Sequence, residues 1–333
     1  MKYLLVLCLL FFTLSHADEK NDWELTHFQI YFENDIFGDK TDSQYSSGEK
    51  FTLIYSVHNQ DYFFYDLLLS GDKSVDSYIN FSIVNQIFTP TDLSKTDLIK
   101  EERPYAGWTF FETGIHKSSK STLQSLYIQI GAIGPRSYSK QIQIAIHKMT
   151  DSDIPMGWDN QIKNELGVNL RYIHKWRFEY EASDSFSIAA MPAVEIDLGN
   201  VSTSITGAIG SRIGWNIPKD FGMTSINTGG ETGIQAYNEY ANLTKHNWSF
   251  CFNLNLFTTA VARDVFLDGN LIQESHSVEK YPLYIGLGTG ISMRYKRFAL
   301  DYIYNKTTKH YHEESYSNGY RHGVGSVIIS MIF

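Results

Sequence analysis

The sequence predicts an all-β fold: a twelve-stranded antiparallel transmembrane β-barrel with a short helix in an extracellular loop. Three observations predict it. Apolar and polar residues alternate with period two from end to end of the 333 residues, the pattern of strands with one apolar and one wet face. Beyond the first seventeen residues no apolar run is long enough for a transmembrane helix, so a chain of this kind crosses a bilayer only as a closed barrel. The chain also ends in "VIISMIF", a strand closing on Phe333. A soluble sandwich would alternate too. Long strands, and aromatic residues at strand ends (Trp23, Trp108, Trp176, Trp215, Trp248, Tyr281 and Tyr284), favour the barrel, because interfacial girdles are aromatic.

The first element is Lys2, an apolar run from Tyr3 to Leu14, and Ser15-His16-Ala17. This is the form of a secretory signal peptide over 1–17, leaving 18–333 as a single barrel domain. Cys8 leaves with the signal, so Cys251 is the one thiol of the mature chain, and neither an intramolecular disulfide nor a cysteine metal site is expected. A net charge of −9 argues against a general nucleic-acid binder.

In the first strand, 24–33, Phe28, Ile30 and Phe32 lie opposite Gln29, Tyr31 and Glu33. In the second, 50–58, Phe51, Leu53, Tyr55 and Val57 lie opposite Lys50, Thr52, Ser56 and His58. Further strands are expected near 78–88, 106–117, 122–133, 166–181, 185–199, 201–217, 246–266, 280–295, 297–310 and 320–333. An even count suits a barrel with both termini on one side. The outward loops are then near 35–46, 89–105, 134–165, 200, 267–279 and 311–319.

Three outward loops carry chemistry. The first holds Asn34, Asp35, Asp39, Asp42 and Ser46, hard oxygens that either suit Ca²⁺ or form an acidic turn. The second holds Lys95, Lys100 and Arg103, which either meet lipopolysaccharide phosphates or are ordinary surface charge. The third carries "SYSKQIQIAIHKM", where Gln143 and His147 would share a helix face at i, i+4. His147 is either a general base or one solvated loop histidine among eleven. GxSxG, HExxH, CxxC and P-loop motifs are absent, and a pairing of Ser46 with His147 across the barrel mouth stays open.

Taken in order, "ENDIF", "QYSSG", "ERPYAGW", "IGPRSYSKQIQIAIH" and "MGWDNQIKNELG" resemble the outer-membrane lipid A 3'-O-deacylase family. The resemblance covers most of the mature chain, with its specific motifs between about 33 and 167. It implies a twelve-stranded barrel integral to the bacterial outer membrane, with an outward-facing site that hydrolyses the 3'-linked acyloxyacyl ester of lipid A with Ca²⁺. By motif, Asn34 and Asp35 match the family's Asn-Asp pair, Ser46 its Thr or Ser, and Gln143 and His147 its Q-x-x-x-H helix. Asp153 stands where a Glu is expected, and Lys95 falls in a basic second loop. The implied roles are catalytic for His147, Asn34, Ser46 and Gln143, metal-binding for Asp35, Ser46 and Asp153, and lipid phosphate binding for Lys95 and Arg103. The expected partners are lipopolysaccharide and the membrane, with the chain a monomer or homodimer and no nucleic acid bound. The alternative is a non-enzymatic pore or adhesin.

Overall fold

A computed structural model describes residues 22–37, 44–58, 62–68, 76–222, 246–312 and 322–333. The expected signal peptide, Asp39 and Asp42 lie outside the described residues. In chain order the strands are β1 (Trp23–Asn34), β2 (Gln44–Val57), β3 (Asp76–Thr89), β4 (Ala106–Ser118) and β5 (Thr122–Ile133). A helix, α1 (Ser139–Thr150), then precedes β6 (Glu165–Trp176), β7 (Phe178–Glu181), β8 (Phe186–Gly199), β9 (Ser202–Trp215) and β10 (Trp248–Asp264). After a single turn of helix, α2 (Val265–Asp268), come β11 (Leu283–Tyr295), β12 (Phe298–Thr307) and β13 (His322–Ile332).

β13 pairs antiparallel with β1, and β6 pairs with β8, so twelve strands close the barrel, as the alternation predicts. β7 continues β6 along β8 in the same register, so the two count as one strand of the ring. The expected strand 166–181 thus runs through as one, interrupted only at Arg177, whose guanidinium pairs with Glu179 at 2.7 Å. The start of β1 and the end of β13 lie at one end of the barrel, with Phe333 N donating to Thr26 O. α1 belongs to the opposite, loop end.

The alternation has two solvents to explain it. On the outside, Ile205, Ile209 and Ile213, Phe250 to Leu256 in steps of two, and Leu283, Ile285 and Leu287 are all exposed, which forms the apolar belt of a membrane barrel. Inside, charges are held in pairs, because an unpaired buried ion is strongly destabilising. Lys50 meets Glu112 at 2.8 Å, Arg171 meets Asp197 at 2.8 Å, and Arg212 pairs with Asp220. Gly286 belongs to this inner face; a Cβ there would overlap the Phe257 ring.

Two inward folds fill the lumen. At the terminal end the segment after β9 brings Phe221 across to Ile54, Tyr78 and Leu123, while Asp220 is held by Arg212. Paired with buried cations, the Asp220 carboxyl stays below its usual range, with Arg212 the larger favourable influence. At the loop end α2 puts Phe266 on Phe88, ring centroids 4.0 Å apart, beside Trp108. Three expected girdle residues are thereby corrected. Trp108 stacks inward on Phe110, and Tyr281 and Tyr284 line a luminal cavity, since each falls on the inward phase or in a loop folded into the mouth.

Candidate active site on the outer wall

The register places the expected site residues on the lipid-facing side of the wall. Along β1 the inward phase ends at Glu33, which accepts from Tyr45 Oη at 3.0 Å and Ser326 Oγ at 2.9 Å. The next residue, Asn34, therefore points outward. β2 carries a bulge between Tyr45 and Ser47, and a bulge inserts one residue that re-aims its neighbours. Tyr45 stays inward, Ser47 falls beside Asn34 and Ile87 on the outer face, and the extra residue is Ser46. Its hydroxyl lies 2.5 Å from Thr89 Oγ1. Asp35, fully buried, opens the 3₁₀ turn Asp35–Phe37 that follows β1.

α1 is seated on this same face. Asn85 Nδ2 donates to Thr109 Oγ1 at 2.6 Å and to Ser139 Oγ at 2.8 Å, and Thr109 Oγ1 donates to Ser137 O at 2.7 Å. The seat is close because β4 offers no side chain there: a Cβ on Gly107 would overlap Ser139. From Ser139 the buried stripe continues one turn at a time to Gln143, 2% exposed, and His147, 6% exposed, as the i, i+4 spacing predicts.

Both side chains are oriented by fixed partners. Trp158 Nε1 donates to Gln143 Oε1 at 2.8 Å. An indole nitrogen can only donate, so the amide is turned with Nε2 away from it. Gln143 Nε2 is buried with no hydrogen-bond partner among the described residues. His147 Nδ1 lies 2.5 Å from the backbone carbonyl of Asp153. A carbonyl can only accept, so Nδ1 carries the proton, and in the neutral ring Nε2 carries the accepting lone pair. Trp158 packs on Tyr105, centroids 5.0 Å apart, and on Ile87. The second and third loops are stitched together above the helix by Met156 N to Leu93 O and Ile162 N to Tyr105 O.

Thus Asn34, Ser46, Gln143 and His147 all belong to the outer wall and its covering helix, not to the mouth of the lumen. The Ser46 hydroxyl meets Thr89 Oγ1. Asp153 has its carboxylate in solvent and meets His147 through its backbone. Lys95 is exposed and loosely paired with Asp92 at 3.9 Å, whose carboxyl two hydrogen bonds from Ser94 hold below its usual range. Arg103 is on the other side of the wall. It is buried in the luminal mouth over the rings of Phe88 and Tyr311 at 5.1 and 5.8 Å, where burial and its charge push His310 down to about 3. Arg103 also lines, with Lys95, a small pocket under the second loop.

The luminal cavity, about 180 Å³, is lined by Arg103, Arg171, Asp197 and Tyr284 but by none of the expected catalytic side chains. Among the described residues no three His, Cys, Asp or Glu side chains converge on a point. A cation on the outer wall would draw on the Asp35 carboxylate with the Asn34 amide, the Ser46 hydroxyl and backbone oxygens, a hard donor set that suits Ca²⁺. Sequence reasoning missed Asn85, Thr89, Gly107, Thr109 and Trp158. Asn85 and Thr109 carried a signal, as polar residues on the apolar phase of their strands.

A closed, belted barrel whose lumen is filled, with a polar cluster held under a helix on its outer wall, defines an integral outer-membrane β-barrel. The chain belongs to the LpxR family of outer-membrane proteins: the family model described as Outer membrane protein LpxR matches residues 4–333. The solved structure of LpxR from Salmonella typhimurium has the same fold, with a TM-score of 0.70 at 16% identity, covering 92% of this chain and 100% of that one. The translocator domain of the autotransporter NalP from Neisseria meningitidis aligns at a TM-score of 0.43 and 9% identity, over 100% of this chain and 96% of that one. No curated protein matches the sequence.

Proposed function

We propose that this chain is a Ca²⁺-dependent lipid A 3'-O-deacylase, a carboxylic ester hydrolase acting in the outer leaflet with its loop end facing outward. One observation carries the reading. The oriented pair Gln143 and His147 lies between a helix and the lipid-facing wall, where the ester of a membrane lipid arrives by lateral diffusion without leaving the bilayer. Membership of the LpxR family supports the same activity.

His147 Nε2 takes a proton from water, the incipient hydroxide attacks the ester carbonyl, and the tetrahedral intermediate collapses with cleavage of the bond to the sugar oxygen, which leaves as the alcohol after taking the proton from His147. General base catalysis of this kind contributes about 10²–10⁴-fold. The Asp153 carbonyl holds the ring and stabilises its Nδ1–H as positive charge develops. Gln143 Nε2, a buried donor held ready by Trp158, is placed for the oxyanion, which preorganised donors stabilise without reorganisation. Asp35, Asn34 and Ser46 would hold Ca²⁺, which supplies Lewis-acid stabilisation of the same charge. Lys95, outside the wall, is the cation available to a lipid phosphate. Arg103, which shares a small pocket with Lys95, would add a second cation to it. The Ser46–Thr89 contact favours water over Ser46 as nucleophile, and the two luminal plugs weigh against a pore.

The test is mass spectrometry of lipid A treated with purified protein, with Ca²⁺ or with chelator, for the wild type and His147→Ala. Loss of the 3' acyloxyacyl mass only with wild type and Ca²⁺ is the expected result. Deacylation by a folded His147→Ala barrel would overturn the mechanism, and an unchanged spectrum with folded wild type would favour an adhesin.

A further inference from the structure

The apolar belt is not of even height around the barrel. Its edge at the terminal end is marked by aromatic pairs on both walls: Trp23 with Tyr55 on β1 and β2, ring centroids 6.3 Å apart, and Trp248 with Tyr295 on β10 and β11, 4.4 Å apart. From Tyr295 the outward phase of β11 runs twelve residues toward the loop end, through Met293, Ile291, Leu287 and Ile285 to Leu283, all exposed, with Thr289 its one polar member. From Tyr55 the outward phase of β2 runs four, through Leu53 to Phe51, and Glu49 follows. β3 and β4 stop at the same row, Ile83 before Asn85 and Phe111 before Thr109, and β1 adds only Phe32 before Asn34. Strands rise about 3.3 Å per residue and lean about 40°, so the apolar height above the aromatic edge is about 30 Å on β11 and about 10 Å on β2.

The deficit lies at the loop end. At the terminal end of the same wall the 3₁₀ turn Phe63–Leu67 packs Tyr65 on Val57 and Ile79 and leaves Phe63 and Leu67 exposed, so the apolar surface there is extended. α1 does not restore what is missing above. With Ser139, Gln143 and His147 on its buried stripe, it turns Gln141, Ala145 and Lys148 away from the wall, all exposed. Its exposed apolar residues, Tyr138 and Met149, stand at its two ends. A bilayer meets a short apolar wall by thinning against it, because charged and polar side chains are costly in hydrocarbon.

We infer that the outer leaflet is drawn down along β1 to β4, so that its polar surface meets this wall near the row of Phe32, Glu49, Asn85 and Thr109, while along β11 it stays near Leu283. The partner of this surface is the bilayer itself. The depression brings the ester layer of the leaflet down to the wall that α1 covers, and a lipid reaches it by diffusing sideways without being lifted out. That consequence rests on the reading of the substrate as a membrane lipid ester; the depression itself does not.

The experiment places a nitroxide label on Phe32→Cys or Leu287→Cys, each in a Cys251→Ser background of the full chain in phosphatidylcholine vesicles, with folding read by heat-modifiable migration. Phe32 pairs with Glu49, six residues from Tyr55, whereas Leu287 is eight from Tyr295. In a bilayer of even thickness the 32 label is therefore near mid-depth and the 287 label is the nearer to water. The expected result is the reverse. A water-soluble nickel relaxant on both sides should relax the 32 label severalfold more than the 287 label, and dissolved oxygen should favour the 287 label. Glu49→Leu, which adds an apolar residue at the edge, should lower nickel access at 32 and leave 287 unchanged. Equal or greater nickel access at 287, or no response to Glu49→Leu in a folded barrel, would overturn the proposal. So would spin–spin broadening at 32 that grows with the labelled fraction, which would put a second copy of the chain over this wall. If no ester is cleaved by any form, the deacylase reading falls while the label depths still decide the shape of the leaflet.

Discussion

The wall formed by β9 to β11 and the wall formed by β1 to β4 share one alternation and end differently. On β9 to β11 the outward phase runs Ile205, Ile209 and Ile213, then Phe252, Leu254 and Leu256, then Leu283, Ile285 and Leu287, and these face lipid. On β1 to β4 the outward phase starts apolar at the terminal end and turns polar at the loop end, through Glu49, Asn85 and Thr109 to Asn34, Ser47 and Thr89. There the wall is roofed by α1 and two loops. The difference teaches that the interruption of the lipid-facing pattern, not the polar lumen, is where the motif residues Asn34, Ser46, Gln143 and His147 gather, and so where the proposed chemistry is placed.

The largest effect expected from breaking this comparison is at His147. Its alanine variant should lose about 10²–10⁴-fold in deacylation rate, the scale of a general base, while the barrel keeps its heat-modifiable migration. An equal loss from a substitution in the luminal charge pairs, with the barrel folded, would place the chemistry inside instead.

Next in size is Gly107→Leu. Its side chain must displace Ser139 and with it the start of the stripe that carries Gln143 and His147. A misplacement of about 1 Å can cost on the order of 10²-fold in rate, so a loss of that order is expected. Trypsin should also cut the α1 segment sooner than in wild type, with the strands still protected. Wild-type rates from this variant would mean that the helix is not held by its seat.

A smaller effect is expected from Trp158→Phe. The ring still fills the space between Tyr105 and Ile87, but Gln143 loses the donor that fixes its amide. Stability should fall by about 0.5–1.5 kcal/mol, the net worth of one hydrogen bond, and kcat should fall by roughly tenfold, because one oxyanion donor is worth up to about 10²–10³ and only its orientation is lost. A fall in stability with kcat untouched would remove Gln143 from the reaction.

How much of this was legible in the sequence follows from the same contrast. Strand positions were read well, for example 122–133 against Thr122–Ile133, because lipid on one side and a wet lumen on the other impose a strict period of two. The motif residues were readable through the family resemblance. Their side of the wall was not. Straight alternation through "QYSSGEKF" puts Ser46 in phase with luminal Lys50, and only the bulge at Tyr45 and Ser47 reverses it. Arg103 reads as a rim charge beside Glu101 and Glu102, yet the chain entering β4 turns it into the mouth over Phe88. Gly107 in "YAGW" reads as any strand glycine, since the helix that presses on it arrives some thirty residues later.

The smallest expected effect sharpens the comparison most, because it uses the same residue type on the other wall. Gly207 lies on the outward phase of β9 between Ile205 and Ile209, and a Cβ built there meets nothing within 4 Å. Gly207→Leu therefore adds a side chain to the lipid belt with nothing to displace. Glycine in a strand interior is weaker than a residue with a Cβ by about 0.5–1 kcal/mol, so thermal stability in a bilayer should rise by that order, and the deacylation rate should match wild type. Measured beside Gly107→Leu, it separates two causes that activity alone would confuse. If both variants lost activity alike, the barrel as a whole would be intolerant of bulk on its outer face. If only Gly107→Leu does, the loss belongs to the helix seated on β3 and β4, which is what a wall-mounted site requires.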